Sequence, residues 1–373
     1  MKKVVISANT SWYIYNFRKN TILQLIENGF DVLIVAPEDD YSKKIINLGA
    51  GFHNIRIKRD GTNPVSDFIT FLSFYFIYRK LLPSVVLNFT PKNNVYSTLA
   101  ASILNIRVIN NIAGLGTLFV KETMVSKIAR FLYKLSQKHA DLIFFQNEED
   151  RCLFIEKKYI NYEKTERIFG SGVDINRFTP IQAPDDGVVR FLLIGRMLYE
   201  KGIVFFVDAA RELKSKYGDS VEFYLLGFID PQDSKSISSE AMNNWVSEGV
   251  INYLGVSDEV EKQIANADCV VLPSFYREGV PKSLLEAGAM GKPIITTDNV
   301  GCRETVIDGQ NGYLCKIKST SDLKLCMEKM ISKSHQERLI MGMASRELMI
   351  NHFDEKLGII KYLDAIRSFL KQE

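Results

Sequence analysis

The stretch PSFYREGVPKSLLEAGAMGKPIITTD, residues 273–298, decides how the rest of the chain is read. It starts where the apolar run CVVLP ends, crosses a polar loop, enters a short helix and passes straight into a second apolar run, PIITTD. Pro281 falls at the first turn of that helix and Gly291 just past its end, the favoured placement of these residues about a helix. Pro281 presets φ and lacks an N–H that the first turn leaves unused, whereas Gly291 can take the left-handed conformation that closes the last turn. The unit is strand, loop, helix, strand, and in an open α/β sheet ligands bind in the loops at strand C-termini. Two carboxylates punctuate it, Glu278 in the loop and Glu286 in the helix.

Outward from this unit the same alternation recurs. KKVVISA reads as a strand; the segment after it carries Phe17, Ile22, Leu25 and Ile26 at helical spacing and stops at Gly29; DVLIVAP is the next strand. That order implies a parallel sheet with right-handed crossovers. It continues through helix YSKKIINLG, strand GFHNIRI, helix VSDFITFLSFYFIYRKLL, strand SVVLNF, helix NNVYSTLAASILN and strand RVINNIA. Helix KETMVSKIARFLYKLSQKHA and strand DLIFFQN complete a doubly wound domain over residues 1–170. After the Pro/Asp-rich PIQAPDDG a second domain, residues 181–353, repeats the pattern from VVRFLLIG onward. Within it the polar segment FIDPQDSKSISSEAMNNWVSEG receives no element, and its Ser-rich part, 230–240, reads as a mobile surface excursion. The last segment, 354–373, has helical periodicity.

A chain of 373 residues exceeds the size at which one core stops growing, which fits two domains. With 46% apolar and 24% charged residues, it can fill two cores and is not a disordered chain. Residues 1–170 hold 23 Lys+Arg against 15 Asp+Glu, a net +8, and the remainder is −5. A basic first half suits an anionic partner, a membrane surface or a phosphate-bearing acceptor, and equally a scatter of solvated charges; no nucleic-acid partner is expected. The five cysteines show neither C-x-x-C nor zinc-finger spacing, so neither a disulfide framework nor a structural metal is expected, and a reducing, cytoplasmic location follows. MKKVVISANT has too short an apolar run for a signal peptide. The longest apolar run, FITFLSFYFIY at 68–78, falls short of the roughly 18–20 residues that span a bilayer. The expectation is at most peripheral attachment to the inner face of the plasma membrane. Residues 119–138 form a basic amphipathic helix in which Lys121, Lys127, Arg130, Lys134 and Lys138 alternate with apolar residues. It reads either as a core-facing helix with a solvated lysine face or as a docking face for a lipid-linked acceptor.

EGVPKSLLE, from Glu278 to Glu286, followed by AGAMGKPII and then Gly301-Cys302-Arg303-Glu304, resembles the E-x7-E signature of retaining glycosyltransferases of sequence family 4. LLIGRMLYEKG at 192–202 is similar to that family's element bearing Arg196 and Lys201, and GSGVDINRFTP at 170–180 resembles its domain-joining segment. The resemblance implies an α/β fold of GT-B type, two Rossmann-like doubly wound domains facing an interdomain cleft, with the C-terminal helix returning to the first domain. It assigns Arg196 and Lys201 to the diphosphate of a nucleotide sugar, Glu278 to donor-sugar hydroxyls and Glu286 to the ribose. Such cations fit the chemistry, because negative charge builds on the departing diphosphate; Arg offers a planar fork to phosphate oxygens and Lys a movable point charge. Gly195, Gly279, Val280, Pro281 and Leu284 complete the expected donor site, where backbone N–H groups at a helix entrance attract an anion.

The first loop, SANTSWYIYNFR, has no glycine and therefore no dinucleotide fingerprint, which removes the main support for an oxidoreductase. Asn9, Thr10 and Arg18 there, and Gly114 and Gly116 after a later strand, are candidates for acceptor contacts. Many family members carry a His at the end of that later strand; here Ala113 precedes Gly114, and none of the four histidines falls at that point. The mechanism implied by the resemblance needs no protein nucleophile, no cofactor beyond the donor, and no metal. The donor is expected to be UDP-linked and the acceptor a saccharide on undecaprenyl diphosphate, in O-antigen, capsule or glycan assembly. The alternatives are a GDP-mannose or other hexose transferase with a soluble acceptor, and a non-catalytic sugar-nucleotide-binding partner.

Overall fold

The structure is a computed structural model that describes residues 1–57, 63–115 and 123–371. The chain divides into two compact units, Met1–Ser171 with Leu357–Glu373, and Gly172–Lys356. In the first unit the elements run β1 (Lys3–Ser7), α1 (Ser11–Glu27), β2 (Asp31–Ala36), α2 (Ser42–Ile46), β3 (Gly51–Asn54), α3 (Pro64–Leu81), β4 (Val85–Asn88), α4 (Pro91–Ile103), β5 (Arg107–Ile112), α5 (Met124–Gln137), β6 (Leu142–Phe145), α6 (Glu148–Glu156) and β7 (Thr165–Arg167). Its strands form one parallel sheet in the order β3-β2-β1-β4-β5-β6-β7. Ile6 sits opposite Ile34 on one side and Leu87 on the other. Because side chains alternate across a strand, Val4 and Ile6 join Ile14, Ile22 and Leu25 of α1 in one core, while Val5 joins Phe74 and Tyr78 of α3 in a second core on the opposite face. Sequence reading missed β7, whose three residues are too few to show a period.

The second unit runs β8 (Val189–Ile194), α7 (Ile203–Tyr217), β9 (Val221–Leu226), α8 (Ser239–Ser247), β10 (Asn252–Tyr253), α9 (Val260–Asn266), β11 (Cys269–Leu272), α10 (Lys282–Ala289), β12 (Ile294–Thr297), β13 (Gly312–Cys315), α11 (Thr320–Ile331) and α12 (His335–Leu348). A π-helical stretch, Met349–Phe353, leads into α13 (Glu355–Leu370). The strands are again all parallel, in the order β10-β9-β8-β11-β12-β13. Phe191, Phe206 and Phe223 pack ring on ring at the centre of this unit. α13 crosses back: its Ile359, Tyr362 and Ile366 are buried in the first unit's core beside α1.

The polar segment that receives no element from sequence contains one, and its Ser-rich part is largely exposed. The Ser-rich stretch is tied to the unit, because Ile237 N donates to Met197 O at 2.7 Å and Tyr199 N to Lys235 O at 2.9 Å. It also opens α8, with Ser238 accepting from Ala241 N as N-cap. A polar composition hid the cap, and the buried Ile237 and Met242 hold the segment down.

Candidate active site

In the second sheet the strand order reverses between β8 and β11, which lie side by side. Such a reversal opens a crevice beyond the strand C-termini, and the loops leaving both strands border it. The loop after β8 carries Gly195, Arg196 and Lys201; the loop after β11 carries Glu278, Gly279 and Val280. The two meet backbone to backbone. Gly202 has φ +80°, and a Cβ there would stand 2.1 Å from the Pro273 carbonyl oxygen, so only glycine fits.

Lys201 and Glu278 form an ion pair. Ser274 Oγ donates to the same Glu278 oxygen at 2.9 Å, so the carboxylate is aimed by two donors on two loops. An ammonium has three donors, which leaves Lys201 able to keep Glu278 while it reaches an incoming anion. Arg196 is exposed, and among the described residues its side chain has no ion-pair partner. Its charge acts on the Tyr276 phenol in the neighbouring loop, so the cation and the carboxylate share one neighbourhood.

The Glu278 loop is pinned from β12. Thr296 Oγ1 donates to Leu272 O at 2.7 Å, Thr297 Oγ1 to Ser274 O, and Asn299 Nδ2 to Tyr276 O at 2.8 Å. Gly301, with φ +78°, lets this segment lie against the loop; a Cβ there would meet Gly279 O at 1.6 Å. Pro281 serves as the N-cap of α10 rather than its first helical residue, and its carbonyl accepts from Leu284 N at 3.1 Å. Gly291 closes the helix with φ +71°.

Glu286 lies one α-helical turn into α10 and keeps part of its surface open to solvent. Burial nonetheless pushes its carboxyl up to about 7, against the pull of Lys282 and Arg177. Arg177 is itself paired with Glu261, and Lys282 Nζ donates to Gly172 O at 3.0 Å.

The sequence candidates therefore divide. Gly195, Arg196, Lys201, Glu278, Gly279, Val280, Pro281 and Glu286 gather around the β8–β11 crevice. Leu284 belongs to the core, fully buried, so it supports α10 from below. In the first unit Asn9 is partly buried just beyond β1. Thr10 is the N-cap of α1, accepting from Tyr13 N at 3.1 Å. Arg18 is 2% exposed, lies 4.1 Å over the Phe89 ring and donates to Tyr13 Oη at 3.2 Å. At 2% exposure that side chain is packed inside rather than paired on the helix surface. Gly114 follows β5 with φ +144°, and Gly116 lies outside the described residues. Sequence reasoning passed over Ser274, Thr297 and Asn299, although the polar run TTDN at the end of an apolar strand was a usable signal.

Two units, each built on a doubly wound parallel sheet, make up the GT-B fold. The chain superposes on the crystal structure of a glycosyltransferase from Rickettsia africae with a TM-score of 0.80 at 17% identity, covering 100% of this chain and 99% of that one. Residues 174–347 match the family model "Glycosyl transferases group 1" and residues 3–147 "Glycosyl transferase 4-like". The chain is 30% identical, over 96% of its own length and 96% of the relative's, to N,N'-diacetylbacillosaminyl-diphospho-undecaprenol alpha-1,3-N-acetylgalactosaminyltransferase of Campylobacter jejuni. A second relative is UDP-Gal:alpha-D-GlcNAc-diphosphoundecaprenol alpha-1,3-galactosyltransferase of Escherichia coli, 22% identical over 81% of this chain and 79% of that protein. The chain belongs to the group 1, family-4-like glycosyltransferases.

Proposed function

We propose that this protein moves a sugar, N-acetylgalactosamine being the first candidate, from a UDP-sugar to a saccharide carried on undecaprenyl diphosphate, with retention at the anomeric carbon and without a metal. The observation that carries this reading is the Lys201–Glu278 pair at the β8–β11 reversal, with the exposed Arg196, which has no ion-pair partner among the described residues, on the same loop as Lys201. The acceptor class is supported by the two relatives, whose names both specify a diphosphoundecaprenol saccharide. A lipid-carried acceptor also puts the work at a membrane surface.

In the reaction the bond between the sugar's anomeric carbon and the β-phosphate oxygen breaks, and both bonding electrons leave with UDP. The acceptor hydroxyl oxygen bonds to that carbon on the same face, and its proton passes to the departing diphosphate. Arg196 and the two remaining Lys201 donors neutralise the charge that builds there. Glu278 accepts from donor-sugar hydroxyls, and Glu286, once ionised, takes the ribose diol with two acceptor oxygens.

The test is incubation of the purified protein with UDP-N-acetylgalactosamine and a diphosphoundecaprenol saccharide, with and without EDTA, followed by NMR of the new linkage. The expected product is α-linked and forms undiminished in EDTA. A β-linked product, or activity lost in EDTA and restored by manganese, overturns the mechanism; no transfer from any UDP-sugar overturns the donor assignment.

A further inference from the structure

Helix α5 is amphipathic in the wrong sense for a helix covering a sheet. Its buried residues are Ser126, Tyr133, Ser136 and Gln137, largely polar. Met124, Val125, Ile128 and Phe131 are instead 73%, 42%, 48% and 63% exposed. A surface helix normally turns its apolar stripe inward, whereas this one faces outward. Helix α3 differs in being apolar on both sides. Asp67, Thr70, Phe74, Tyr78 and Leu81 face the core, while Val65, Phe68, Ile69 and Phe76 are each more than half exposed.

The two stripes belong to one face, because α3 and α5 both pack on α4. A depression of about 440 Å³ lies on α4 between them, lined by Phe71 of α3, Leu99, Ser102 and Ile103 of α4, and His139 just beyond α5; no residue of either exposed stripe lines it. Lys127 and Lys134 stand exposed along α5, Lys138 at its C-cap, and Arg79 and Lys80 at the end of α3. No acidic residue lies in α5. The one acid in α3, Asp67, is buried and paired with Lys92 at 2.9 Å.

We propose that this α3–α4–α5 face is a membrane-docking surface that lays its apolar stripes into the headgroup boundary of an anionic lipid leaflet while its lysines hold the lipid phosphates. Apolar residues rimmed by cations of one sign fit that occupant. A second copy of the chain is disfavoured, since a two-fold interface would set this lysine-rich face against itself. The inference concerns a surface rather than the transfer site, and its test uses neither donor nor acceptor, so it stands or falls separately from the proposed reaction.

The experiment is co-sedimentation of the full chain with vesicles of phosphatidylcholine alone and of equimolar phosphatidylcholine and phosphatidylglycerol. The wild type is expected to sediment with the anionic vesicles only, and less so as salt is raised. Lys127→Glu with Lys134→Glu and Lys138→Glu should lower partitioning by about a hundredfold or more, since each surface cation contributes roughly a fivefold effect. Ile128→Ser with Phe131→Ser should lower it by about tenfold or more at fixed charge. Every substituted side chain is exposed, so thermal unfolding of the variants should match wild type. Equal sedimentation with neutral vesicles, or variants that sediment like wild type, overturns the proposal. So does a dimer in light scattering that Ile128→Ser with Phe131→Ser converts to monomer, which would assign the face to a second copy.

Discussion

At the scale of single residues the Glu286 carboxyl couples folding to pH. Its ordinary value of 4.5 rises to about 7 on folding, so between those values the folded chain keeps a proton that the unfolded chain has released. Stability therefore falls as pH rises through 4.5 to 7, and the whole cost is present above 7. Glu286→Gln is expected to raise the stability of the free protein by about 1–3 kcal/mol at pH 8 and to change nothing below pH 4.5, as read by urea unfolding at both pH values. The same variant should bind a UDP-sugar about tenfold more weakly or worse, and wild-type affinity should drop as pH falls below 7, both measurable by calorimetry. Arg196→Ala gives the contrasting case. Its exposed side chain leaves stability within about 0.5 kcal/mol of wild type, whereas kcat/KM for transfer should fall by roughly 10- to 100-fold. Glu278→Gln keeps the volume but removes the charge facing Lys201; transfer should be abolished with the far-UV spectrum intact, and wild-type rates would take Glu278 out of the site.

At the scale of elements, the placement of the Glu278 loop depends on β12 and the segment after it. Gly301→Ala would drive a Cβ into the Gly279 carbonyl, so it should cost roughly 2–4 kcal/mol and lower donor affinity together with stability in a thermal-shift assay with and without UDP. Asn299→Ala removes the hydrogen bonds that Nδ2 donates to Tyr276 O at 2.8 Å and Ser274 O at 3.5 Å and the one that Oδ1 accepts from Val300 N at 2.9 Å, and should cost about 1–2 kcal/mol. The strand-to-helix unit around 273–298 was legible because its signals are local: an apolar run, a Pro at a helix start, a Gly at its end. Even there Pro281 is one position off, as helix boundaries from sequence commonly are. What sequence could not supply was direction. The period of α5 was plain, but which side faces the sheet depends on α4 beneath it, and the alternation of lysines with apolar residues is the same for either orientation. For a similar reason the burial of Arg18 could not be read from the chain, since nothing in its sequence neighbours announces Phe89 as its stacking partner.

At the scale of the whole molecule, the last helix is what completes the first unit. Tyr362 sits edge-on between Phe89 and Phe144 and donates its hydroxyl to Asn111 Oδ1. Burial pushes that phenol up to about 12, so it remains a donor throughout the working pH range. Tyr362→Ala should destabilise the first unit by about 3–5 kcal/mol, and limited proteolysis should then cut within residues 1–171 before 172–356. The parallel sheets could be read from the chain because each strand is followed by its crossover helix; the discontinuity of the first unit, whose closing helix lies beyond the whole of the second, has no local signature. During synthesis that separation dictates an order of events. Gly172–Lys356 emerges from the ribosome as one uninterrupted piece, while the earlier-made segment has a gap beside α1 until Leu357 onward is translated. The first-born half of this polypeptide is thus the last to be completed.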